Sequence, residues 1–235
     1  PLQLFSALSD EGRAPHAVLL ESADVHTHNA KLSLGCADPC LRITCTGRDW
    51  ELLAFNRTGT KVLEAARPHL DFIEDMEIKE NAISGRLPAP RRGLEERERL
   101  AQAGPMDLLR AVHRAAGPVE HSGFPPGGLL GAFAYDLVDC CEELPSRQVD
   151  PYSAPDMVFY LADHLFLVDH IHDRCVFVAT ALNVSDPDEE YNRAQDLIRR
   201  YEQVANNSAP LSNLPPSPSL KPAEVAVDLD DEQYA

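Results

Sequence analysis

The sequence has no Cys-x-x-Cys pair, no long apolar run and no basic stripe, and each absence closes off a class of protein. Its six cysteines, Cys36, Cys40, Cys45, Cys140, Cys141 and Cys175, stand at spacings that make no zinc pattern. They are expected to be reduced and mostly small, buried and apolar, as in a cytoplasmic protein. No window reaches the roughly 18 apolar residues of a membrane span, and no basic-then-apolar signal segment opens the sequence. The expected localisation is cytoplasmic, with no membrane partner. Acidic residues outnumber basic ones, 38 against 21, for a formal net charge of −17. That balance argues against nucleic acid as a partner, because phosphate backbones are bound through clustered Lys and Arg. Nucleotide-loop chemistry is missing too: Gly127-Gly128-Leu129-Leu130-Gly131 matches neither the P-loop nor the dinucleotide fingerprint.

What remains is an ordinary globular composition. The chain has 235 residues, 44% of them hydrophobic and 25% charged, enough for one large domain or a domain with a subdomain. Leu2, Phe5 and Leu8 have helical spacing. Ala17-Val18-Leu19-Leu20 reads as a short buried strand ending in the carboxylate of Glu21 and the hydroxyl of Ser22. Those two groups are either a solvated strand end that starts a turn or the polar rim of a site for a small amphipathic ligand. A second short apolar segment, Lys31 to Gly35, begins with a cation. Leu41, Ile43 and Cys45 alternate with Arg42 and Thr44, and the turn Gly47-Arg48-Asp49 leads into Trp50 to Phe55, a hairpin pattern.

Val62, Leu63, Ala66 and Leu70 predict a helix capped by Thr58 or Thr60 and ended by Pro68. Phe72 to Leu87 reads as irregular strands, and the charged stretch from Pro88 to Arg99 as a solvated loop entering an exposed helix. Met106 to Ala116 is an amphipathic helix with His113 near its apolar face. Pro125 to Val138 reads as a core strand that its glycines allow another backbone to approach closely, followed by a helix opening at Tyr135-Asp136. Met157 to Asp169 reads as one long strand. Across the turn His170-Ile171-His172-Asp173 it pairs with Cys175 to Ala181. The cluster of His164, His170 and His172 with Asp163, Asp169 and Asp173 is expected to be a solvated turn rather than a metal site. Asp186 to Tyr201 predicts a helix, acidic in its first turn, burying Tyr191, Ala194, Leu197, Ile198 and Tyr201. The Pro, Ser and Asn content after Asn206 predicts a linker. The reading is therefore a domain over 1–205, a linker over 206–223 and the start of a further region over 224–235, both ends having the look of cuts in a longer chain.

Three of these stretches carry a resemblance. Leu19-Leu20-Glu21-Ser22, then Gly128 to Val138, then Pro155 to Asp163 resemble, in order and spacing, the N-terminal region of anthranilate synthase component I. The resemblance implies an α+β fold in which antiparallel sheets, from this portion and the one after it, pack into a sandwich flanked by helices. It implies a chorismate-using enzyme that makes anthranilate and pyruvate with ammonia from a glutamine amidotransferase partner, component II. It places Mg²⁺ and the catalytic residues in the downstream region, so that none is expected here. It also implies part of a feedback site for L-tryptophan, carried over to Leu20, Glu21, Ser22 and Lys31, with Leu32 the other candidate for the basic slot. Sibling enzymes of the aminodeoxychorismate or phenazine type, and a non-catalytic amino-acid-binding module, are the alternatives.

Overall fold

The structure is a computed structural model, and it describes residues 1–22, 31–91, 93–117, 124–140, 142, 154–184 and 186–208. In chain order, helix α1 (Leu2–Leu8) leads to strands β1 (Val18–Leu20), β2 (Leu32–Cys36), β3 (Leu41–Thr46) and β4 (Asp49–Ala54), then to helix α2 (Arg57–Ala66). Strands β5 (Glu74–Ile78) and β6 (Ala82–Arg86), helices α3 (Glu96–Leu100) and α4 (Pro105–Ala116) and strand β7 (Gly128–Phe133) come next. Strands β8 (Met157–Ala162), β9 (His164–Asp169) and β10 (Arg174–Ala179) precede the long helix α5 (Pro187–Asn207). The strands form a six-stranded sheet, ordered β5-β6-β4-β3-β8-β7, and a four-stranded sheet, ordered β1-β2-β9-β10. All pairings are antiparallel, so the α+β class expected from the sequence is the observed one.

Period-two alternation builds the larger core. Leu41, Ile43 and Cys45 of β3, Trp50, Leu52 and Ala54 of β4, and Met157, Phe159 and Leu161 of β8 all turn inward. They meet Val62, Leu63 and Ala66 of α2 and Leu108, Ala111, Val112 and Ala115 of α4. Helix α2 can lie this close because Gly59 has no side chain: a Cβ there would stand 2.0 Å from the Cys40 carbonyl oxygen. The smaller core packs the four-stranded sheet against two helices, with Phe166 of β9 meeting Leu8 of α1 and Tyr201 of α5. Burying each such ring is worth about 2–3 kcal/mol. The Phe166 ring lies over Gly35 of β2, where a Cβ would come within 2.5 Å of it.

Consecutive strands β8 and β9 belong to different sheets, and the residue between them, Asp163, is buried. Its carboxylate lies 2.9 Å from His164 Nδ1 and accepts from Arg193 at 2.6 Å. Arg193 also donates to Glu190 at 2.9 Å, and Glu190 accepts from the Thr58 hydroxyl at 3.4 Å. Burial works to raise the Asp163 pKa, but the hydrogen bond and charge of His164 and the charge of Arg193 hold it below the usual carboxylate value.

Several expectations are corrected. The stretch read as a buried strand is the three-residue edge strand β1, with no buried residue. The cap of α2 is Asn56, whose Oδ1 accepts from Gly59 N at 2.9 Å, rather than Thr58 or Thr60. The core strand at Gly128 to Phe133 is an edge strand, half-buried to exposed, although Gly131 does sit against β8, where a Cβ would come within 2.1 Å of the Val158 carbonyl oxygen. The long strand from Met157 to Asp169 is two strands, broken at Asp163. On α5 Tyr191 faces solvent and Glu190 takes the buried place. Helix α5 continues to Asn207, two residues into the stretch read as linker, and residues 209–235 lie outside the described ones. Cys36, Cys40 and Cys45 are buried, but Cys175 is exposed.

Two substitutions test this account. Arg193→Met strands the buried Asp163 and Glu190 carboxylates without their cation. It is expected to destabilise the protein by about 3–5 kcal/mol in a urea melt, whereas a loss under about 1 kcal/mol, ordinary for a surface ion pair, would reject the network. Gly59→Ala ordinarily stabilises a helix by about 1 kcal/mol. Here the Cys40 carbonyl reverses the sign, and the same melt is expected to show a loss of about 1–3 kcal/mol.

Candidate functional site

Of the residues singled out by the resemblance, Leu20 ends β1, the edge strand of the four-stranded sheet among the described residues, Glu21 and Ser22 follow it, and Lys31 precedes β2. The approach to β1 is tied to the six-stranded sheet by His16, whose ring stacks on Phe55 at 4.0 Å between centroids. Burial, and then the nearby Arg42 charge, push the His16 pKa down. Strand β1 pairs with β2 through Leu20 and Leu34, β2 with β9 through Leu34 and Leu167, and β9 with β10 through Leu167 and Val176. One row of apolar side chains therefore crosses the sheet on the face away from Phe166. At its β1 end the row opens to solvent, Leu20 being 47% exposed and the neighbouring Leu32 41%. Glu21 follows Leu20 and is exposed, and Ser22 is half-buried. Among the described residues, an apolar strip that opens to solvent is thus followed directly in the chain by an exposed glutamate and a half-buried serine, an arrangement called the ledge below.

Lys31 is exposed and immediately precedes β2. Its carbonyl accepts from His170 N at 3.0 Å, which continues the pairing of β2 with β9. Strand alternation gives the face of Leu20 and Leu34 to Leu32, not to Lys31. The cation stands beside the ledge, and an apolar residue occupies the slot upon it.

Two residues that sequence reasoning did not assign to the site complete its frame. Ser33 is fully buried, and its Oγ accepts from the Ser22 backbone N–H at 3.0 Å. The same Oγ lies 2.7 Å from His170 Nε2. A serine inside an apolar strand is itself a signal, because a buried hydroxyl needs partners. The His170 contact spans 137 residues, and no local pattern foretells it.

The turn that carries His170 is held by Asp169. One carboxylate oxygen accepts from the backbone N–H of Ile171 and His172 at 3.1 and 3.2 Å. The other lies 2.8 Å from His172 Nδ1 and accepts from Arg174 Nε at 3.0 Å. Burial pushes the Asp169 pKa up, but the hydrogen bonds led by His172 outweigh it and bring the value down to about 2. The acid and histidine cluster read as a solvated turn is in part a structural one, since Asp163, His164 and Asp169 are buried and engaged. Among the described residues no group of three His, Cys, Asp or Glu side chains stands ready to hold a metal ion, and no helix is long and apolar enough to cross a membrane.

No family model matches the chain. Among curated proteins it is similar over its whole length to anthranilate synthase component 1 of Vibrio cholerae, 30% identical over 234 residues, and of Serratia marcescens, 32% identical over 243. It is also 27% identical, over 93% of its length, to the pyocyanine-specific anthranilate synthase component 1 of Pseudomonas aeruginosa. The chain spans 43%, 43% and 40% of these three relatives.

The Asp169 turn makes a pH prediction. A carboxyl whose folded pKa lies near 2, below its ordinary 3.8, stabilises the fold fully above the unfolded value and loses that contribution as pH falls from about 4 towards 2. The wild-type Tm is expected to fall more steeply across that window than the Tm of Asp169→Asn, and equal slopes would show that the turn does not favour the ionised form.

Proposed function

We infer that this chain, a relative of anthranilate synthase component 1 along its whole length, is the N-terminal regulatory portion of such an enzyme. The complete protein would convert chorismate and ammonia to anthranilate and pyruvate, the ammonia coming from a glutamine amidotransferase, component II. Mg²⁺ and the residues that perform the elimination are assigned to the part of the polypeptide beyond this chain. The role assigned to this portion is to bind L-tryptophan and to lower chorismate affinity when it does.

The observation that carries the reading is the ledge at Leu20, Glu21 and Ser22. Tryptophan is a rigid apolar ring joined to an ammonium and a carboxylate, and the ledge offers a chemical match for the ring and the cation. The strip of Leu20 and Leu34 suits the indole face. The Glu21 carboxylate suits the α-ammonium, in a charge-assisted hydrogen bond. The Ser22 hydroxyl, with Lys31 nearby, suits the α-carboxylate. The exposure of Leu20 and Leu32 leaves room for a second wall, supplied by the rest of the polypeptide. Tryptophan held between the two would favour one domain arrangement, a coupling commonly of about 1–3 kcal/mol that chorismate must return in equal measure on tryptophan binding. The sibling reading, an enzyme of the phenazine type whose similar site would not respond to tryptophan, stands beside this one, and one relative is named as pyocyanine-specific.

The test is anthranilate formation by the full-length enzyme from chorismate and ammonium, with and without L-tryptophan. Suppressed turnover is expected for wild type, and Ser22→Phe, which fills the ledge, is expected to raise the tryptophan concentration needed for half inhibition by about tenfold or more, equivalent to ~1.4 kcal/mol. Wild-type turnover indifferent to tryptophan would favour the sibling reading. Collapse of the Ser22→Phe enzyme without tryptophan would make these residues structural.

A further inference from the structure

Ser33 and His170 stand behind the ledge, and their geometry has a direction. The Ser33 Oγ accepts from the Ser22 N–H at 3.0 Å. Its own proton, in a fully buried position, needs an acceptor. The His170 Nε2 lies 2.7 Å away, within hydrogen-bond distance of that hydroxyl. The resulting chain runs from Ser22 N–H to Ser33 hydroxyl to His170 ring. It joins the last residue of the Leu-Leu-Glu-Ser stretch to the turn between β9 and β10. That turn is itself held by the four hydrogen-bond contacts of Asp169, and the His170 backbone N–H is pinned to Lys31 O.

We propose that His170 is a positioning residue for the amino-acid site, acting through the Ser33 hydroxyl to fix the Ser22 backbone and with it the Glu21 carboxylate and the Ser22 hydroxyl. The proposal rests on the reading of the ledge as a tryptophan site. Strand β1 is three residues long and, among the described residues, has a strand neighbour on one side only, so its ladder alone holds Ser22 weakly. A side-chain anchor from a different part of the chain supplies the missing restraint. Restraint of this kind lowers the ordering cost that a ligand would otherwise meet on binding. His170 touches no ligand in this scheme, and its effect passes entirely through Ser33.

That last condition makes the proposal testable by a double-mutant cycle in the full-length enzyme, with L-tryptophan as the probe and calorimetry as the readout. His170→Ala and Ser33→Ala are each expected to weaken tryptophan binding by about fivefold, the weight of one hydrogen bond. The double variant is expected to bind no more weakly than Ser33→Ala alone, because the histidine has no other route to the site. His170→Gln, which returns a polar amide near the Nε2 position, is expected to recover most of the affinity. A second readout needs no ligand: hydrogen exchange at the Ser22 amide is expected to accelerate in both alanine variants. Additive losses in the double variant, or a Ser22 amide whose exchange ignores His170→Ala, would overturn the positioning role and leave the ledge reading standing. A wild-type enzyme that binds no tryptophan, with Ser22 exchange responding as expected, would overturn the ledge reading and the ligand role together.

Discussion

A carboxylate with no exposed side-chain surface sits where the chain passes from one sheet to the other, and much of the architecture follows from satisfying it. Asp163 cannot be left alone at that position, since an unpaired buried charge costs several kcal/mol. Its two oxygens are matched by His164, the first residue of β9, and by Arg193, in the second turn of α5. Arg193 then needs α5 to lie across the end of β8, and Glu190 on the same helix carries the contact on to Thr58 of α2. The carbonyl of Asp163 accepts from Thr180 N at 2.7 Å, which ties down the end of β10. One ion cluster thus sets how the helix of the smaller sheet meets the helix of the larger one. Hydrophobic burial supplies most of the stabilising free energy, but it is non-directional. The charges supply the geometry.

What was legible in the sequence is what depends on neighbours along the chain. The β3–β4 and β9–β10 hairpins, the helices α1, α4 and α5, and the exposed α3 all follow from spacing and turn chemistry within about a dozen residues. The errors share one cause. Ala17 to Leu20 looks buried because four apolar residues run together, yet burial is set by what covers a strand, and β1 lies at a sheet edge. Tyr191 looks buried and Glu190 exposed by residue type, but Arg193 and Thr58 offer the glutamate partners that reverse the order. The run from Met157 to Asp169 looks like one strand because β-rich residues continue on both sides of Asp163 and His164 with no turn residue between them. The role of Asp163 as the pivot between sheets lies in contacts to residues 30 positions away.

The candidate site divides along the same line. Leu20, Glu21 and Ser22 carry no local signal that separates a ligand rim from a strand end, and the resemblance is what favoured the rim. The structure adds the physical context: an apolar row that ends in solvent, and a buried serine that fixes the Ser22 amide. Lys31 stands exposed just before β2. Its neighbour Leu32 holds the place on the ledge face, and a one-residue shift in a strand moves a side chain to the opposite face of the sheet. On the proposed reading, this chain meets the ligand carboxylate with the Ser22 hydroxyl, Lys31 standing nearby but off the ledge face.

The size of the ledge bears on how such a site could regulate anything. Covering about 50–100 Å² of apolar surface is worth about 1–3 kcal/mol, which is also the usual range of an allosteric coupling energy. A ligand needs no large rearrangement to reach it. It needs two arrangements of the polypeptide that differ in how much of the strip around Leu20, Leu32 and Leu34 is covered, and a preference for one of them. An edge strand of three residues is suited to that task only if its polar end stays fixed while its apolar face changes partner. If Ser22 moved freely, the ligand's ammonium would carry the ordering cost and the preference between arrangements would be lost to it. On the proposed reading, the buried hydroxyl of Ser33 and the ring of His170 keep that end in place, so that the difference in covered surface is what the ligand would read.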